Sequence, residues 1–369
     1  MPEKFKIDKY LLVNSKLCNL INERKTYFQI FATNVFLNTL GSAKFLKLQY
    51  KNARGKNLLK SIDMHLRDLI EELKHKEVEV TFSEGKLKYK GPEENITPEL
   101  IEKLKQNRSG LIKYLWPKEL DILMPVNPQG NKVPLFIIHG DNSNYIISEY
   151  LGEDQPVYGF FHPGSEGEGV KYKSVRQMAS AYLEQMLAVW PSGPYFLLGY
   201  SFGGIIAFEM AVQLQKMGKE VPFLVLIDTI SPVVRQPFIR EKNIYQTLRI
   251  NYLRPVRLWF KRKRKLMACN FYLLRGKPIP MERRNYYLMV KYRHLTRIYK
   301  PSKFSGDMLL FRATQNPCTL QYLGWEKLVN KIRAVEIDGK HLDVFVGKER
   351  SDILRIEIER YLNYVNKMN

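Results

Sequence analysis

In the second half of the chain, short runs of consecutive apolar residues alternate with longer stretches of helical periodicity. The apolar runs predict strands at residues 122–126, 133–138, 157–160, 195–198, 223–227, 308–311 and 335–337. Helical patterns lie between these runs, most clearly at residues 175–190 and 205–217. Continuous apolar strands that alternate with helices are typical of a mostly parallel sheet with helices on both faces. The pattern therefore predicts an α/β domain.

Residues 60–116 show a different pattern, which predicts a small α+β module. Apolar residues recur at helical spacing in Ile62, Leu66, Leu69, Ile70 and Leu73. Alternating apolar and polar residues on either side of Ser83-Glu84-Gly85 predict a β-hairpin. Thr97-Pro98-Glu99 offers a capping hydroxyl, a proline for the first turn and an acid near the positive end of a helix. The predicted order is helix, hairpin, helix and helix.

Residues 1–57 precede this module and mix basic residues with apolar patches, without a sustained period. Met64 opens a far cleaner helical pattern. We therefore expect residues 1–57 to be a basic extension of unknown role. It is either an accessory segment or a stretch upstream of the natural start.

The clearest candidate for chemistry is Ser201, in the run Gly199-Tyr200-Ser201-Phe202-Gly203. An apolar strand precedes this G-x-S-x-G sequence and a helical pattern follows it, which is the context of a nucleophile elbow. A sharp turn there holds the serine hydroxyl clear of the sheet, and the flanking glycines let strand and helix approach closely. An ordinary glycine-rich turn is the alternative, and the strand–turn–helix context favours Ser201 as a nucleophile.

A serine nucleophile needs a histidine base, and only His294 and His341 follow Ser201 in the chain. His294 lies in the basic run Lys291-Tyr292-Arg293-His294, where positive charge disfavours the imidazolium that the mechanism requires. His341 follows the last predicted strand, where the partner histidine of an elbow belongs. We predict His341 as the base, whereas His139, which precedes the serine, is expected to hold its loop structurally.

Asp228 is the first candidate for the acid that orients the histidine, because it ends a predicted strand. The carboxyl ends of strands face the active site in open α/β sheets. Asp338 follows the last strand and stays an alternative. Asp307 precedes a predicted strand and is expected at the opposite edge of the sheet, and Asp343 is too close in sequence to His341 to be the obvious partner.

An oxyanion hole needs two donors aimed at the developing charge. The backbone amide of Phe202, the residue after the nucleophile, is expected to be one of them. The loop after the early strand, residues 138–142, is expected to supply the other, and we choose the amide of Asp141.

With these residues identified, residues 125–365 resemble the α/β-hydrolase thioesterases of nonribosomal peptide and polyketide synthesis. The matching stretches are residues 134–140, 156–160, 199–204, 226–228, 309–313 and 338–341. The resemblance implies an α/β-hydrolase domain over residues 120–366, with a helical lid at about 235–300 and an acyl-enzyme on Ser201. It supports Asp228 as the acid. Asn142-Ser143 depart from the family, in which many members have glycines in this loop.

Residues 60–116 resemble the small β-hairpin docking domains at the N-termini of nonribosomal peptide synthetase subunits. The resemblance includes Gly85-Lys86-Leu87-Lys88-Tyr89 and Thr97-Pro98-Glu99-Leu100. It implies capture of the C-terminal tail of a partner subunit, by strand addition along the edge of the hairpin. A minor helical cap on the following domain is the alternative interpretation.

The net charge of +22 is unevenly distributed and bears on the choice of partner. Residues 235–300 hold 19 Lys or Arg against two acids, and residues 1–57 hold 11 against three. Three interpretations of this basic charge are open. It forms a solvated helix face, it attaches the protein to nucleic acid or an anionic membrane, or it recognises an acidic protein. The family resemblance favours an acyl or peptidyl carrier protein with a phosphopantetheine arm. The chain has no Leu-Gly-Gly-x-Ser carrier sequence, so the carrier is expected to act in trans.

The remaining composition narrows the class of protein. Cys18, Cys269 and Cys318 show neither metal-ligand nor disulfide spacing, and no apolar run reaches the roughly 18 residues of a membrane span. We therefore expect a cytoplasmic protein without a membrane span or a metal. The family resemblance implies in addition that the protein has no resident cofactor, since the phosphopantetheine arm belongs to the carrier, and no nucleic-acid partner.

The sequence thus predicts a serine thioesterase that releases or edits acyl or peptidyl chains on carrier proteins. Water, or a nucleophile within the chain itself, resolves the acyl-enzyme, and the residues leave this choice open. They also leave open the acyl substrate, the partner synthetase and the oligomeric state. A small-molecule serine esterase or lipase, a macrocyclising acyltransferase and a non-catalytic adaptor are the alternative functions.

Overall fold

A computed structural model of the chain describes residues 64–140, 142–234 and 254–366. The predicted basic extension, residues 1–57, lies outside these residues, and so does the first part of the predicted lid, residues 235–253.

The N-terminal module has the predicted order of helix, hairpin, helix and helix. It consists of α1 (Met64–His75), β1 (Glu79–Ser83), β2 (Lys86–Lys90), α2 (Pro98–Gln106) and α3 (Arg108–Tyr114). The Thr97 side chain accepts a hydrogen bond from the amide of Leu100, which caps α2 as the sequence predicts. Apolar residues from the helices and from the start of the hairpin form one small core, made by Leu66, Leu69, Leu73, Val78, Leu100, Leu104 and Leu111.

The following domain is built on a seven-stranded sheet. Its strands are β3 (Leu123–Asn127), β4 (Leu135–Ile138), β5 (Val157–Phe160), β6 (Phe196–Tyr200), β7 (Phe223–Ile227), β8 (Phe304–Ala313) and β9 (Val329–Ile337). They lie in the order β3-β5-β4-β6-β7-β8-β9, and every neighbouring pair is parallel except the edge pair β3 and β5. This is the mostly parallel sheet that the sequence predicts, and β8 and β9 are longer than predicted.

Helices cover both faces of this sheet. Successive side chains of a strand point to opposite faces, so the partners of neighbouring residues in β7 show which helices lie on each face. Leu224 and Leu226 of β7 pack in one core with residues of α5 (Val175–Val189) and α6 (Phe202–Lys216). Phe223 of the same strand instead stacks on Tyr361, in the terminal helix α9 (Lys348–Asn366), with ring centroids 4.8 Å apart. Another helix, α4 (Asn142–Leu151), packs against α9. Its first turn contains Asn142-Ser143, which the sequence analysis assigns to a loop.

Two helices of the predicted lid are described, α7 (Arg254–Leu274) and α8 (Met281–Ile298). They share a small core in which Cys269, Ile279 and Tyr287 are buried. The lid is tied to the loop after β5, where the amide of Ile279 donates to the carbonyl of Gly167 at 2.8 Å. Arg284 adds a hydrogen bond from its guanidinium to the carbonyl of Ser165 at 3.0 Å. These bonds fix the lid helices against the domain.

The N-terminal module packs directly on the α/β domain. Trp116 stacks between Phe82 of the hairpin and Tyr158 of β5, with centroid distances of 5.5 and 5.7 Å. Arg108 of α3 donates to the carbonyls of Pro128 and Gly130 at 2.9 and 3.1 Å. Only the tertiary structure shows which residues form this contact surface.

Within the described ranges, no helix combines the length and the apolar character that crossing a membrane requires.

Candidate active site

The structure brings the three predicted triad residues together at the carboxyl edge of the sheet. Ser201 follows β6, Asp228 follows β7, and His341 lies in the loop between β9 and α9. Nε2 of His341 is 2.9 Å from Oγ of Ser201, and Nδ1 of His341 is 2.6 Å from Oδ2 of Asp228. These distances join residues that are 140 and 113 positions apart in the chain. The arrangement is that of a nucleophile, a base and an acid in series.

Ser201 occupies a strained turn. Its φ of 56° and ψ of −120° are unusual for a residue that carries a Cβ. The turn fits because the neighbouring glycines leave room for the backbone: the carbonyl oxygen of Ile138 lies where a Cβ of Gly203 would be. The hydroxyl of Thr229 lies where a Cβ of Gly204 would be, and it contacts the Ser201 carbonyl at 3.0 Å. Strand and helix thus hold the elbow from both sides.

Positive φ recurs along this edge of the sheet. His139, Ser201 and Asp228 have φ of 58°, 56° and 44°, and they directly follow the neighbouring strands β4, β6 and β7. A left-handed backbone at non-glycine residues is uncommon, and such strain is concentrated at functional sites. The strained positions therefore mark the same edge that holds the predicted chemistry.

His341 is held from two sides. An ionised carboxylate can only accept a hydrogen bond, so Nδ1 of His341 carries the proton toward Asp228 and Nε2 faces Ser201 as an acceptor. The ring of Tyr200 stacks on the imidazole at 5.0 Å with an interplanar angle of 17°. The Tyr200 hydroxyl also donates to the His341 carbonyl at 2.8 Å. Burial, and after it the charges of Asp228 and Asp343, raise the pKa of Tyr200, so this phenol stays a donor.

The side chain of Asp228 is fully buried. Besides its contact with His341, it accepts two hydrogen bonds through Oδ1, from the amide of Ala313 at 3.0 Å and from Nδ2 of Asn316 at 2.7 Å. Asn316 is not among the residues predicted from the sequence. Its position just after β8, beside the strand that precedes Asp228, is the only signal that points to it.

The rival acids lie elsewhere. Asp338 is exposed and accepts a hydrogen bond from the Thr314 hydroxyl at 3.0 Å. Asp343 accepts from the amide of Lys340 at 2.9 Å and so closes the turn that carries the histidine. Asp307 lies inside β8, opposite Lys331, rather than before the strand as predicted. The prediction of where β8 begins was wrong because the strand extends back to Phe304.

The other histidines have different surroundings. His294 is exposed on α8. His139 is buried, and its Nε2 lies 2.6 Å from the hydroxyl of Tyr182. Burial, and to a smaller extent the charge of His162, lower the pKa of His139 well below its ordinary value. His139 is therefore a neutral ring within the core, in line with the structural role predicted for it.

Of the two predicted oxyanion donors, one lies at the start of a helix and the other lies outside the described residues. Phe202 is the first residue of α6, where backbone amides have no acceptor within their own helix. Its amide therefore stays open toward a charge that develops beside Ser201. Asp141, the other predicted donor, lies outside the described residues.

The lid contacts the side chain of Phe202. Tyr292 of α8 stacks on Phe202 with ring centroids 4.2 Å apart and an interplanar angle of 10°. The Tyr292 hydroxyl donates to the carbonyl of Pro163 at 3.2 Å, and it lies 3.2 Å from Nδ1 of His162. The lid thus packs on the side chain of the residue that follows the nucleophile.

Among the residues that the structure describes, no group of three or more His, Cys, Asp or Glu side chains is placed to hold a metal ion.

Comparison with protein families gives two matches. The thioesterase domain model matches residues 147–356, a stretch that contains Ser201, Asp228 and His341. The model of the TubC N-terminal docking domain matches residues 66–116.

Among curated proteins, the chain is similar to malpinin synthetase of Mortierella alpina, with 30% identity over 236 residues. This match covers 60% of the chain and 3% of the synthetase. The chain is also 30% identical over 242 residues to a dimodular nonribosomal peptide synthase of Bacillus subtilis, which covers 61% of the chain and 10% of that protein. The chain therefore corresponds to a small part of these relatives.

Among solved structures, the NocB thioesterase domain matches with a TM-score of 0.48 and 22% identity, over 66% of this chain and 99% of that one. The thioesterase domain SrfTE, which cyclises the lipopeptide surfactin, matches with a TM-score of 0.44 and 16% identity, over 66% and 97%.

Proposed function

Because this chain belongs to the thioesterase-domain family, we propose that it cleaves acyl or peptidyl thioesters carried on the phosphopantetheine arm of a separate carrier protein in nonribosomal peptide or polyketide synthesis. The observation that carries the proposal is the continuous series from Oγ of Ser201 through His341 to the buried carboxylate of Asp228, with distances of 2.9 and 2.6 Å. This series supports covalent catalysis through an acyl-enzyme on Ser201.

In the first half of the reaction, Oγ of Ser201 attacks the thioester carbonyl while Nε2 of His341 removes its proton. The imidazolium that forms is stabilised by Asp228, whose carboxylate holds Nδ1. The amide of Phe202 donates to the tetrahedral oxyanion, together with a second donor from the loop that contains Asp141. The pantetheine thiol leaves with a proton from His341, and the acyl group stays on Ser201.

In the second half, His341 activates the nucleophile that resolves the acyl-enzyme. Water gives a free acid and therefore chain release or editing. An amine or hydroxyl of the bound chain gives a macrocycle instead. Both outcomes use the same three side chains, so the mass of the product distinguishes them.

The charge of the lid supports a carrier protein as the partner. The residues from Arg262 to Lys265 are exposed at the described part of α7, and α8 has only Glu282 as an acid. Such a surface attracts an acidic partner and speeds its association. We propose that a carrier domain with a negative surface approaches the site along these helices.

The hairpin of the N-terminal module supports a second contact, with the C-terminal tail of a partner subunit. Strands β1 and β2 form a two-stranded sheet, so each has an outer edge that an extended peptide could extend. Lys86, Lys88 and Lys90 of β2 are exposed, and Tyr89 is 44% exposed. We propose that the tail adds along this hairpin and brings the carrier to the lid.

The experiment that tests the activity is intact-mass analysis of a carrier protein loaded in turn with octanoyl, benzoyl and phenylalanyl groups. We expect the wild type to unload the carrier and Ser201→Ala to leave it loaded. Ser180→Ala is a matched control on the surface of α5, and it should behave as the wild type. If the wild type unloads none of these groups, the proposal is wrong.

A small-molecule esterase on the same fold would not need the carrier. The rate on each carrier-bound group should therefore be compared with the rate on the same acyl group as a free N-acetylcysteamine thioester. We expect clear preference for the carrier-bound form. Equal rates on both substrates would favour the esterase.

A further inference from the structure

The turn after β8 brings the side chain of Asn316 onto the carboxylate of Asp228. Oδ2 of Asp228 faces His341, and its Oδ1 accepts from the amide of Ala313 at 3.0 Å and from Nδ2 of Asn316 at 2.7 Å. The Asp228 side chain has no exposed surface. An ionised carboxylate without water needs such donors, because its burial is otherwise unfavourable.

The orientation of the Asn316 amide is defined by a further contact. Its Oδ1 accepts a hydrogen bond from the amide of Cys318 at 2.8 Å, and its own backbone amide donates to the carbonyl of Ala313 at 2.9 Å. A reversed side chain would place oxygen against the carboxylate and its NH₂ group against a backbone N–H. The turn therefore presents a donor, and not an acceptor, to Asp228.

We propose that Asn316 is a positioning residue for the thioesterase reaction, which holds the Asp228 carboxylate aligned with His341. The inference rests on the proposed roles of Ser201, His341 and Asp228. The acid of a triad works by fixing the orientation and tautomer of the histidine and by stabilising its cation. Without Asn316, Oδ1 keeps the Ala313 amide alone, and the carboxylate is free to rotate away from Nδ1.

Other charged groups near Asp228 do not replace this donor. His341 occupies Oδ2, and Tyr200 uses its hydroxyl on the His341 carbonyl. Asp343 is turned to the amide of Lys340. Arg312, which precedes Ala313, directs its guanidinium to the carbonyls of Cys318 and Gln321. Asn316 is thus the side chain that donates a hydrogen bond to Oδ1 of Asp228.

The test compares Asn316→Asp with Asn316→Ala. An aspartate has the same shape: protonated it can donate as the amide does, and ionised it cannot donate and repels Asp228. We therefore expect the rate of N316D relative to the wild type to fall as pH rises. N316A should lose about 10- to 100-fold at every pH, the range for a hydrogen bond to a charged group.

The readout is the rate at which a fluorophosphonate labels Ser201, followed by intact mass from mildly acidic to mildly alkaline pH, together with acyl release from the carrier. Asn127 supplies matched controls, because it is also half-buried and its Nδ2 donates to the carbonyl of Gln155 at 3.0 Å. Asn127→Asp and Asn127→Ala should keep the wild-type pH profile. Melting temperatures identify any variant that fails to fold.

The outcomes separate the two proposals. If the wild type is neither labelled nor active on the carrier, the proposed function fails and this inference fails with it. If the wild type is active but N316A matches it, or the ratio of N316D to wild type is flat across pH, Asn316 has a structural role only and the inference is overturned.

Discussion

His139 and His341 both follow strands at the carboxyl edge of the sheet, yet their surroundings differ in every respect that matters for catalysis. His341 is partly exposed, lies 2.9 Å from a serine hydroxyl and is held by a buried carboxylate. His139 is buried, lies 2.6 Å from the phenol of Tyr182 and has the ring of His162 at 4.0 Å.

The difference shows that the partner of a histidine, and not its place after a strand, decides its chemistry. A carboxylate stabilises the imidazolium that a base must become. The neutral phenol of Tyr182 offers no negative charge to stabilise an imidazolium, and the charge of His162 opposes protonation of His139. The two rings therefore make a matched pair for experiments.

The largest effect is expected from removing the base. His341→Ala should lower kcat by about 10⁶-fold, as for the histidine of other serine triads. His139→Phe keeps a ring in the aromatic stack and should cost less than about 10-fold, the scale of one lost hydrogen bond. Acyl release from a loaded carrier measures both. Equal losses in the two variants would contradict the assignment of His341.

The second largest effect is expected from replacing the acid, and it distinguishes Asp228 from Asp338. Asp228→Asn should lower kcat by about 10⁴-fold, because an amide that donates to Nδ1 selects the wrong tautomer. Asp338→Asn is the matched control, since Asp338 is the rival carboxylate and is exposed. It should keep wild-type kcat in the same assay, and the reverse ranking would transfer the role to Asp338.

A smaller effect is expected at the residue that holds His341 from the side. Tyr200→Phe keeps the stacked ring but loses the hydroxyl bond to the His341 carbonyl, and it should lower kcat about 5-fold. Tyr200→Leu also loses the ring and should cost up to about 10-fold more. Tyr361→Phe, in α9 and stacked on Phe223 at the other end of the strands, is the control. The idea is wrong if the leucine variant retains wild-type kcat.

The smallest effect concerns stability. The pKa of His139 is lowered well below its ordinary value of 6.5 in the folded protein. The unfolded chain therefore binds a proton there below about pH 6.5 that the folded protein does not bind. The free energy of unfolding should fall with decreasing pH, by at most about 1.4 kcal/mol per pH unit from this group.

Denaturant unfolding at neutral and at mildly acidic pH measures this slope. His139→Phe has no titrating ring and should show a shallower dependence on pH than the wild type. His294→Gln, at an exposed position of α8, should leave the slope unchanged. An identical slope in His139→Phe would mean that His139 does not contribute.

Much of the fold could be predicted from the sequence, because its signals are local. The apolar runs of β5 and β7 match the observed strands at both ends, and the hairpin turn at Ser83-Glu84-Gly85 lies where alternation predicts it. Strand ends were less accurate: β8 and β9 extend several residues before the predicted starts. Phe304 and Val329 begin these strands as buried apolar residues, but the residues directly after them are partly or fully exposed and mixed in polarity, so no continuous apolar run marks these starts.

The sequence by itself determined the elbow at Ser201, the order of serine, acid and histidine, and the separate module before them, since each depends on neighbouring residues or on chain order. Only the tertiary structure decided that Asn316 meets Asp228, that Tyr292 of the lid covers Phe202, and that the module rests on the α/β domain through Trp116. Most of these contacts join segments about 40 to 90 positions apart in sequence. No local pattern encodes such a meeting, because it depends on how all the strands and helices pack together.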